Sequence, residues 1–254
     1  MVRPKKHLGQ HFLKDKNIAD KIAGCLTGDY PVVCELGPGT GILTTSLLEN
    51  DDIKKLKLIE IDSESVDYLN TNFSDSRLEI IEKDFLKFDL TSISNEPFAL
   101  IGNFPYNISS QIFFKALAHR DLIPEIAGMI QKEVAERMTA SPGNKTYGIL
   151  SVLMQTWYDI EYCFTVNENV FFPPPRVKSA VIKMTRNKST QINCDEKLLI
   201  TVVKTAFNQR RKTMRNSLKS LLNDEIKADP VFDKRPEQLS VEQFIQLTNL
   251  ISKE

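Results

Sequence analysis

Apolar positions along the chain follow two rhythms. From about residue 17 onward, short apolar runs of strand length alternate with stretches of helical spacing. Residues 32–35 read as a buried strand entering a glycine-rich turn, and 40–48 as the helix that follows. Further strands are predicted at 56–61, 78–81, 98–102, 126–130, 160–166 and 179–184, with helices at 63–69, 108–117 and 148–157. Strands that alternate with helices imply an α/β architecture: a mostly parallel sheet covered on both faces. Residues 186–193 are polar and keep neither rhythm, which places a boundary there and predicts domains at 1–187 and 188–254. Beyond it, Leu198, Leu199, Val202, Val203 and Phe207, then Met214, Leu218, Leu221 and Leu222, then Phe244, Leu247 and Ile251 recur at helical spacing. They predict a small all-helical C-terminal domain. No internal repeat is visible.

Composition narrows the class. The chain has 254 residues, 41% hydrophobic and 26% charged, as a soluble globular protein has. No apolar run reaches membrane-spanning length, and the polar, basic start carries no apolar stretch of the secretory kind. Cys25, Cys34, Cys163 and Cys194 form no C-x-x-C pair, so neither a zinc site nor a disulfide framework is expected. Isolated buried thiols in a reducing cytoplasm are the plainer expectation. The formal net charge is zero, but it averages separated patches. Between Lys197 and Asn223 stand Lys197, Lys204, Arg210, Arg211, Lys212, Arg215 and Lys219, without one acid. The first sixteen residues carry Arg3, Lys5, Lys6, Lys14 and Lys16 against Asp15 alone. Such patches suit a polyanion.

The chemistry begins at Glu35-Leu36-Gly37-Pro38-Gly39-Thr40-Gly41, at a strand-to-helix turn. A dinucleotide fold wants G-x-G-x-x-G, but here Ile42 stands where the third glycine belongs. The spacing E-x-G-x-G-x-G instead resembles the first motif of class I S-adenosylmethionine-dependent methyltransferases, Rossmann-like enzymes with a mostly parallel seven-stranded sheet. Glu60 ends the next strand, where an acid can accept both ribose hydroxyl protons. Asp62 alternatively caps the following helix. Asp84 follows the third strand and is positioned to accept a hydrogen bond from an adenine amine.

Asn103-Phe104-Pro105-Tyr106 follows the strand at 98–102. In open α/β sheets, ligands sit at the carboxyl ends of strands. The amine of adenine is a poor nucleophile because its lone pair is delocalised into the ring. Two acceptors, the Asn103 side-chain oxygen and the Phe104 carbonyl, can hold its hydrogens and aim the lone pair. Pro105 stiffens the turn, and Tyr106 offers a face for stacking worth about 1–3 kcal/mol. The pattern is similar to the (N/D)-x-P-(Y/F) motif of enzymes that methylate exocyclic amines of bases. Its alternative is a surface Asn-x-Pro turn beside a core tyrosine. In Phe171-Phe172-Pro173-Pro174-Pro175-Arg176-Val177, Phe171 is expected to clamp the opposite face of the base. Core plugging is the alternative, applied to Phe172.

Together with Lys6-His7-Leu8-Gly9-Gln10-His11-Phe12-Leu13, the 171–179 segment and the stretch 206–219, these motifs make nearly the whole chain resemble the ribosomal RNA adenine N6-dimethyltransferases, the bacterial small-subunit branch in particular. The resemblance implies that His11 and Leu13 touch S-adenosylmethionine beside Gly37, Gly39, Glu60, Asp84 and Asn103, S-adenosylhomocysteine being the product. It implies dimethylation of two adjacent adenosines near the 3′ end of 16S rRNA, by a cytoplasmic monomer acting on a pre-30S particle, with no membrane partner and no metal. The helical domain would hold rRNA through a basic helix bearing Arg210, Arg211, Lys212, Arg215 and Lys219, whose charges neutralise phosphates. Two positions depart from the common pattern. His11 stands where many bacterial relatives have Asn, and Phe104 where Leu is usual, a bulk expected to reshape the pocket wall. Three rivals stand beside this reading: a large-subunit rRNA adenine methyltransferase, a DNA adenine methyltransferase, and an assembly factor without catalysis.

Overall fold

The structure is a computed structural model that describes residues 2–28, 30–187 and 192–252. In chain order its main elements are β1 (Phe12–Leu13), α1 (Lys16–Ala23), β2 (Val32–Leu36), α2 (Ile42–Leu48), β3 (Lys55–Glu60), α3 (Ser63–Asn72), β4 (Leu78–Glu82), β5 (Ala99–Asn103), α4 (Ser109–Ala118), β6 (Glu125–Gln131), α5 (Lys132–Met138), α6 (Ile149–Gln155), β7 (Tyr158–Val166), β8 (Phe171–Phe172), β9 (Ser179–Arg186), α7 (Glu196–Asn208), α8 (Met214–Ser217) and α9 (Val241–Ser252). Seven strands form one sheet in the order β4-β3-β2-β5-β6-β9-β7. The first five pair in parallel, and β9 joins β6 antiparallel.

The strand interiors explain this arrangement. Every residue of β2 is buried, as are Ala99 to Gly102 of β5 and Glu125 to Ile130 of β6. Strands without an alternating polar face need cover on both sides, which the crossover helices supply. Leu13, Ala19, Ile22, Leu43, Leu47 and Leu69 pack against Val33, Leu56, Leu58 and Ile101 in one core. Acids at the helix starts satisfy exposed amides: Asp15 accepts from Asn17 and Ile18, Asp62 from Glu64, and Asp195 from Leu198. The chain winds outward from β2 in both directions, through β3 and β4 on one side and β5 and β6 on the other. That reversal opens a crevice at the carboxyl ends of β2 and β5.

Two compact units result: residues 1–135 with 160–186, and residues 136–159 with 187–254. A single cut at 187/188 therefore does not describe the division, because 136–159 group with the C-terminal segment. Part of the polar boundary segment, 188–191, lies outside the described residues. The grouping has a packing cause. The Tyr147 ring meets Phe207 edge-on, and Phe207 stacks on Phe244. The expected basic helix is also absent as such. α7 ends at Asn208, residues 209–213 turn, and the short α8 follows, fully burying Met214, whose amide donates to the Lys234 carbonyl. Among the cysteines, all free, only Cys34 is fully buried; Cys25, Cys163 and Cys194 are half-buried. Among the described residues no helix is long and apolar enough to cross a membrane, and no cluster of His, Cys, Asp and Glu could hold a metal.

Tyr147 is fully buried, yet its hydroxyl has no hydrogen-bond partner among the described residues. Leaving a buried hydroxyl unpaired costs about 1–3 kcal/mol. Tyr147→Phe is therefore expected to leave the unfolding midpoint unchanged or to raise it. A clear fall in the urea midpoint would show that the hydroxyl has a partner.

Candidate active site

The turn after β2 delivers the first part of the site. Gly37, Gly39 and Gly41 all have positive φ. At Gly39 (φ +57°) a Cβ would also stand 2.8 Å from the Phe12 ring, so only glycine lets the N-terminal segment close on the turn. The Gly39 amide donates to Glu60 at 3.2 Å, and the amides of Ile61 and Asp62 donate to the other Glu60 oxygen at 2.9 Å each. Burial raises the proton affinity of Glu60, while these three amides work to keep it ionised. Asp62 takes the capping role and also receives the Lys5 ammonium and, at 3.2 Å, the Gln10 amide. The basic N-terminal arm is thereby strapped across the start of α3.

A cleft runs along the carboxyl ends of the strands in connected parts. One part is lined by His11, Phe12, Gly39, Asn103 and Tyr106, together with Gly37, Glu60 and Ile61. A neighbouring cavity of about 180 Å³ shares Gly37, Glu60 and Ile61 and adds Asp84, Phe85 and Asn107. A small third recess lies between Leu13, Glu35, Thr40 and Asn103. The expected cofactor residues thus border one cleft, although Leu13 sits mainly in the core, 5% exposed. Ile61 was not foreseen. It is a large apolar residue left half exposed beside an acid, and that exposure is invisible in sequence. A larger cavity of about 390 Å³, lined by Asp20, Tyr30, Glu49 and Asp52, lies by Val33 and Ala99 at the opposite ends of the strands.

The tetrad closes the cleft. The Asn103 side-chain amide donates to the His11 backbone carbonyl at 2.9 Å. This assigns nitrogen and oxygen of the amide, since a carbonyl can only accept. Phe104 does not reshape the pocket wall. Its ring is 1% exposed, faces Phe113 edge-on, and fills space beside Gly102 and Gly128, where a Cβ would come within 3.0 and 2.6 Å of it. The Tyr106 hydroxyl meets Ser179 at 2.5 Å, and burial raises its proton affinity, so it stays a phenol. The His11 ring stacks on Tyr106 with centroids 5.5 Å apart, and its Nδ1 lies 2.8 Å from the Pro173 carbonyl. That bond requires the proton on Nδ1.

The two phenylalanines of the proline loop exchange their expected places. Phe171 is 1% exposed and pairs with Leu13, while Phe172 is 54% exposed and pairs with Phe12. Directly opposed residues in an antiparallel pair share a face. The β1–β8 ribbon therefore sends Leu13 and Phe171 into the core and leaves Phe12 and Phe172 on the cleft side. A ring buried as Phe171 is offers no face to a base.

Comparison with known proteins settles the family. The family described as ribosomal RNA adenine dimethylase matches residues 1–253. The chain belongs to that family. It is 61% identical to the ribosomal RNA small subunit methyltransferase A of Parabacteroides distasonis, over all of this chain and 96% of the relative. The corresponding protein of Flavobacterium johnsoniae is 59% identical, over 98% and 96%. Among solved structures, a dimethyladenosine transferase from Plasmodium falciparum superposes with a TM-score of 0.81 at 27% identity, over 96% of this chain and 98% of that one. The 23S rRNA methyltransferase ErmE shares the fold, with a TM-score of 0.67 at 23% identity, over 94% and 99%. The dimethylases use S-adenosylmethionine as methyl donor. The cleft fits it: a buried acid for a ribose, an apolar flank at Ile61 and Phe85 for a purine, and glycines that let a ligand approach the backbone.

In the helical unit, the basic residues of this dimethylase divide. The Arg215 guanidinium is taken up by Asp233, at 2.6 Å, and by the Lys227 carbonyl. It is therefore not free for phosphate as expected. Arg210 lies 3.7 Å from Glu237 and reaches the Asn144 carbonyl at 3.4 Å. Arg211, Lys212 and Lys219 are exposed.

Glu35 is fully buried, accepts the Thr44 hydroxyl at 2.7 Å, and is pushed up to about 8 by burial. A folded-state value raised above the ordinary one makes stability fall as pH rises between about 4.5 and 8, because the unfolded chain loses this proton first. Glu35→Gln is expected to remove that component. The difference in unfolding free energy, variant minus parent, should grow in favour of the variant from pH 5 to pH 8.5. A difference independent of pH would show that Glu35 is ionised throughout.

Proposed function

We propose that this dimethylase modifies small-subunit ribosomal RNA, transferring methyl groups to the N6 amines of two adjacent adenosines near the 3′ end of 16S rRNA. We place it on a pre-30S particle in the cytoplasm, acting as a monomer. The family match and the relatives named for small-subunit methylation support this reading. The observation that carries the mechanism is the Asn103–His11 bond. With its nitrogen spent on the His11 carbonyl, Asn103 presents its oxygen as a hydrogen-bond acceptor.

The bound cofactor supplies an electrophilic methyl group on a sulfonium. The residues supply alignment. Asn103 Oδ1 and the Phe104 carbonyl hold the two amine hydrogens, drawing the nitrogen toward a pyramidal form with its lone pair toward the methyl. Acceleration comes from orientation and from fixed dipoles rather than from a base, since Asn cannot take a proton. Each transfer makes the nitrogen cationic, and it then loses a proton to solvent; after the first the amine keeps one hydrogen, and one acceptor suffices for the second. Glu60 holds the ribose hydroxyls, Asp84 the adenine amine of the cofactor, and Gly37, Gly39, His11 and Leu13 the remaining contacts. Tyr106 stacks on the flipped target base. Phe172 replaces Phe171 as the ring placed to cover it, because only Phe172 is exposed.

The deciding measurement is labelled-methyl transfer to undermethylated small subunits, followed by nucleoside analysis. N6,N6-dimethyladenosine is expected in small-subunit rRNA, and label confined to large-subunit RNA or DNA would overturn the assignment. Asn103→Ala should lower turnover at least a hundredfold, the scale of losing one aligned dipole, while cofactor affinity falls much less. Equal losses would mean that Asn103 serves the cofactor alone.

The basic residues carry a separate expectation. Arg211→Ala or Lys212→Ala should weaken rRNA binding and reduce the salt dependence by about one counterion. Arg215→Ala should instead cost about 1–2 kcal/mol of stability and leave the salt slope alone. A reduced slope for Arg215→Ala would show that its contact with Asp233 opens for phosphate.

A further inference from the structure

The loop after β4 is a tight turn built around Asp84. Its Oδ1 accepts the Leu86 amide at 2.9 Å, and its carbonyl accepts the amides of Lys87 and Phe88 at 3.0 and 2.9 Å. The start of the turn is tied to the sheet by the Lys83 amide, which donates to the Glu60 carbonyl at 2.9 Å. Its far side is held by a side chain from α4. The Lys115 ammonium donates to the Phe85 carbonyl at 2.6 Å and to the Phe88 carbonyl, and stands 5.3 Å from the centre of the Phe85 ring. Phe85 itself is 3% exposed. The lysine thus grips the turn at both ends and through the one ring that anchors it. Burial disfavours the charge on Lys115, and Asp84 and Asp89 counter that effect. The two carbonyls and the ring face compensate the lysine for lost water and tie it to the turn.

The location of α4 gives the grip its meaning. The helix starts at Ser109, three residues after Tyr106, and its first turn follows directly from the tetrad. Lys115 stands under two turns further on. One rigid helix therefore carries the tetrad at its start and, through Lys115, the Asp84 turn along its side.

We propose that Lys115 is a positioning residue for the cofactor's adenine, holding the Asp84 turn so that the site selects an amino-purine and sets it in register with Asn103. The proposal rests on the assignment of Asp84 to the adenine amine. Lys115 touches neither substrate nor cofactor and acts through Phe85, Phe88 and Asp84.

The test measures binding of S-adenosylhomocysteine and of its analogue with hypoxanthine in place of adenine, by calorimetry on the full-length protein. The analogue lacks the amine that Asp84 would accept. Lys115→Met is expected to weaken S-adenosylhomocysteine roughly tenfold, and the analogue little, so that selectivity collapses. The double variant with Asp84→Ala should bind no worse than Asp84→Ala alone, since coupled residues are not additive. Equal weakening of both ligands, or additive losses, would reduce Lys115 to a general structural role and overturn the proposal. If Lys115→Met does not fold, Lys115→Arg serves: its planar fork cannot reproduce a point charge shared by two carbonyls. Selectivity unchanged in Lys115→Arg would then count against the proposal. An Asp84→Ala variant with undiminished selectivity would overturn the adenine contact itself. A normal loss there with selectivity retained in Lys115→Met would overturn the lysine's part alone.

Discussion

One hydrogen bond organises the cleft at the carboxyl ends of the strands: the Asn103 side-chain amide to the His11 backbone carbonyl, 2.9 Å long and joining residues 92 apart in the chain. An unconstrained Asn side chain presents a donor and an acceptor with nearly equal shape, and only the acceptor can hold an amine hydrogen. Tying down the nitrogen leaves the oxygen as the presented group. The partner is a backbone carbonyl, so the side chain at position 11 is released for other work. In this chain it is a histidine that stacks on Tyr106 and meets the Pro173 carbonyl. The N-terminal segment, the tetrad and the proline loop are thus joined at one residue. The same segment is secured at its other end by Lys5 and Gln10 on Asp62.

That junction depends on room made elsewhere. Phe104 sits between Asn103 and Pro105 at the cleft, yet its ring is buried away from solvent, 1% exposed. The ring is directed into the sheet, where Gly102 on β5 and Gly128 on β6 leave the space it occupies. A larger residue at either glycine would press on the ring and on the strand backbone. The backbone of position 104 can keep its place because the sheet, and not the pocket, accommodates the side chain. An unusual residue in a catalytic motif is here a matter of internal packing.

Much of this was legible in sequence, for physical reasons that differ by element. The strands were readable because a parallel sheet buries whole apolar runs, and the cofactor turn because positive φ demands glycine at 37, 39 and 41. That Asn103, Glu60 and Asp84 would come to line one cleft was readable because strand ends gather at the carboxyl edge of an open sheet. The exchange of Phe171 and Phe172 was not legible, since two adjacent phenylalanines differ only in which face of a two-residue ribbon each takes, and that register is set by pairing with distant Phe12 and Leu13. The grouping of 136–159 with the C-terminal helices was hidden likewise, because it rests on rings of Tyr147, Phe207 and Phe244 far apart in the chain. Helical periodicity around Arg210 failed for another reason: burying Met214 required the chain to turn.

The same long-range logic governs the charges. A run of seven bases without an acid suggests one uniform surface for a polyanion. Folding brings acids from later in the chain to some of them: Asp233 to Arg215 and Glu237 toward Arg210. Arg215 is further engaged by the Lys227 carbonyl, so its planar fork is filled by protein acceptors and serves to join α8 to the segment after it. Arg211, at the turn's middle, and Lys212 beside it stay exposed. Local charge density therefore overstates the electrostatic footprint and understates its order. A cation already committed to a carboxylate would contribute little to counterion release, while an exposed cation with no acid beside it among the described residues would contribute more. The proposed contact with a phosphate backbone therefore has fewer free charges to draw on than the sequence contains, and the spent ones help hold the segment that bears the rest.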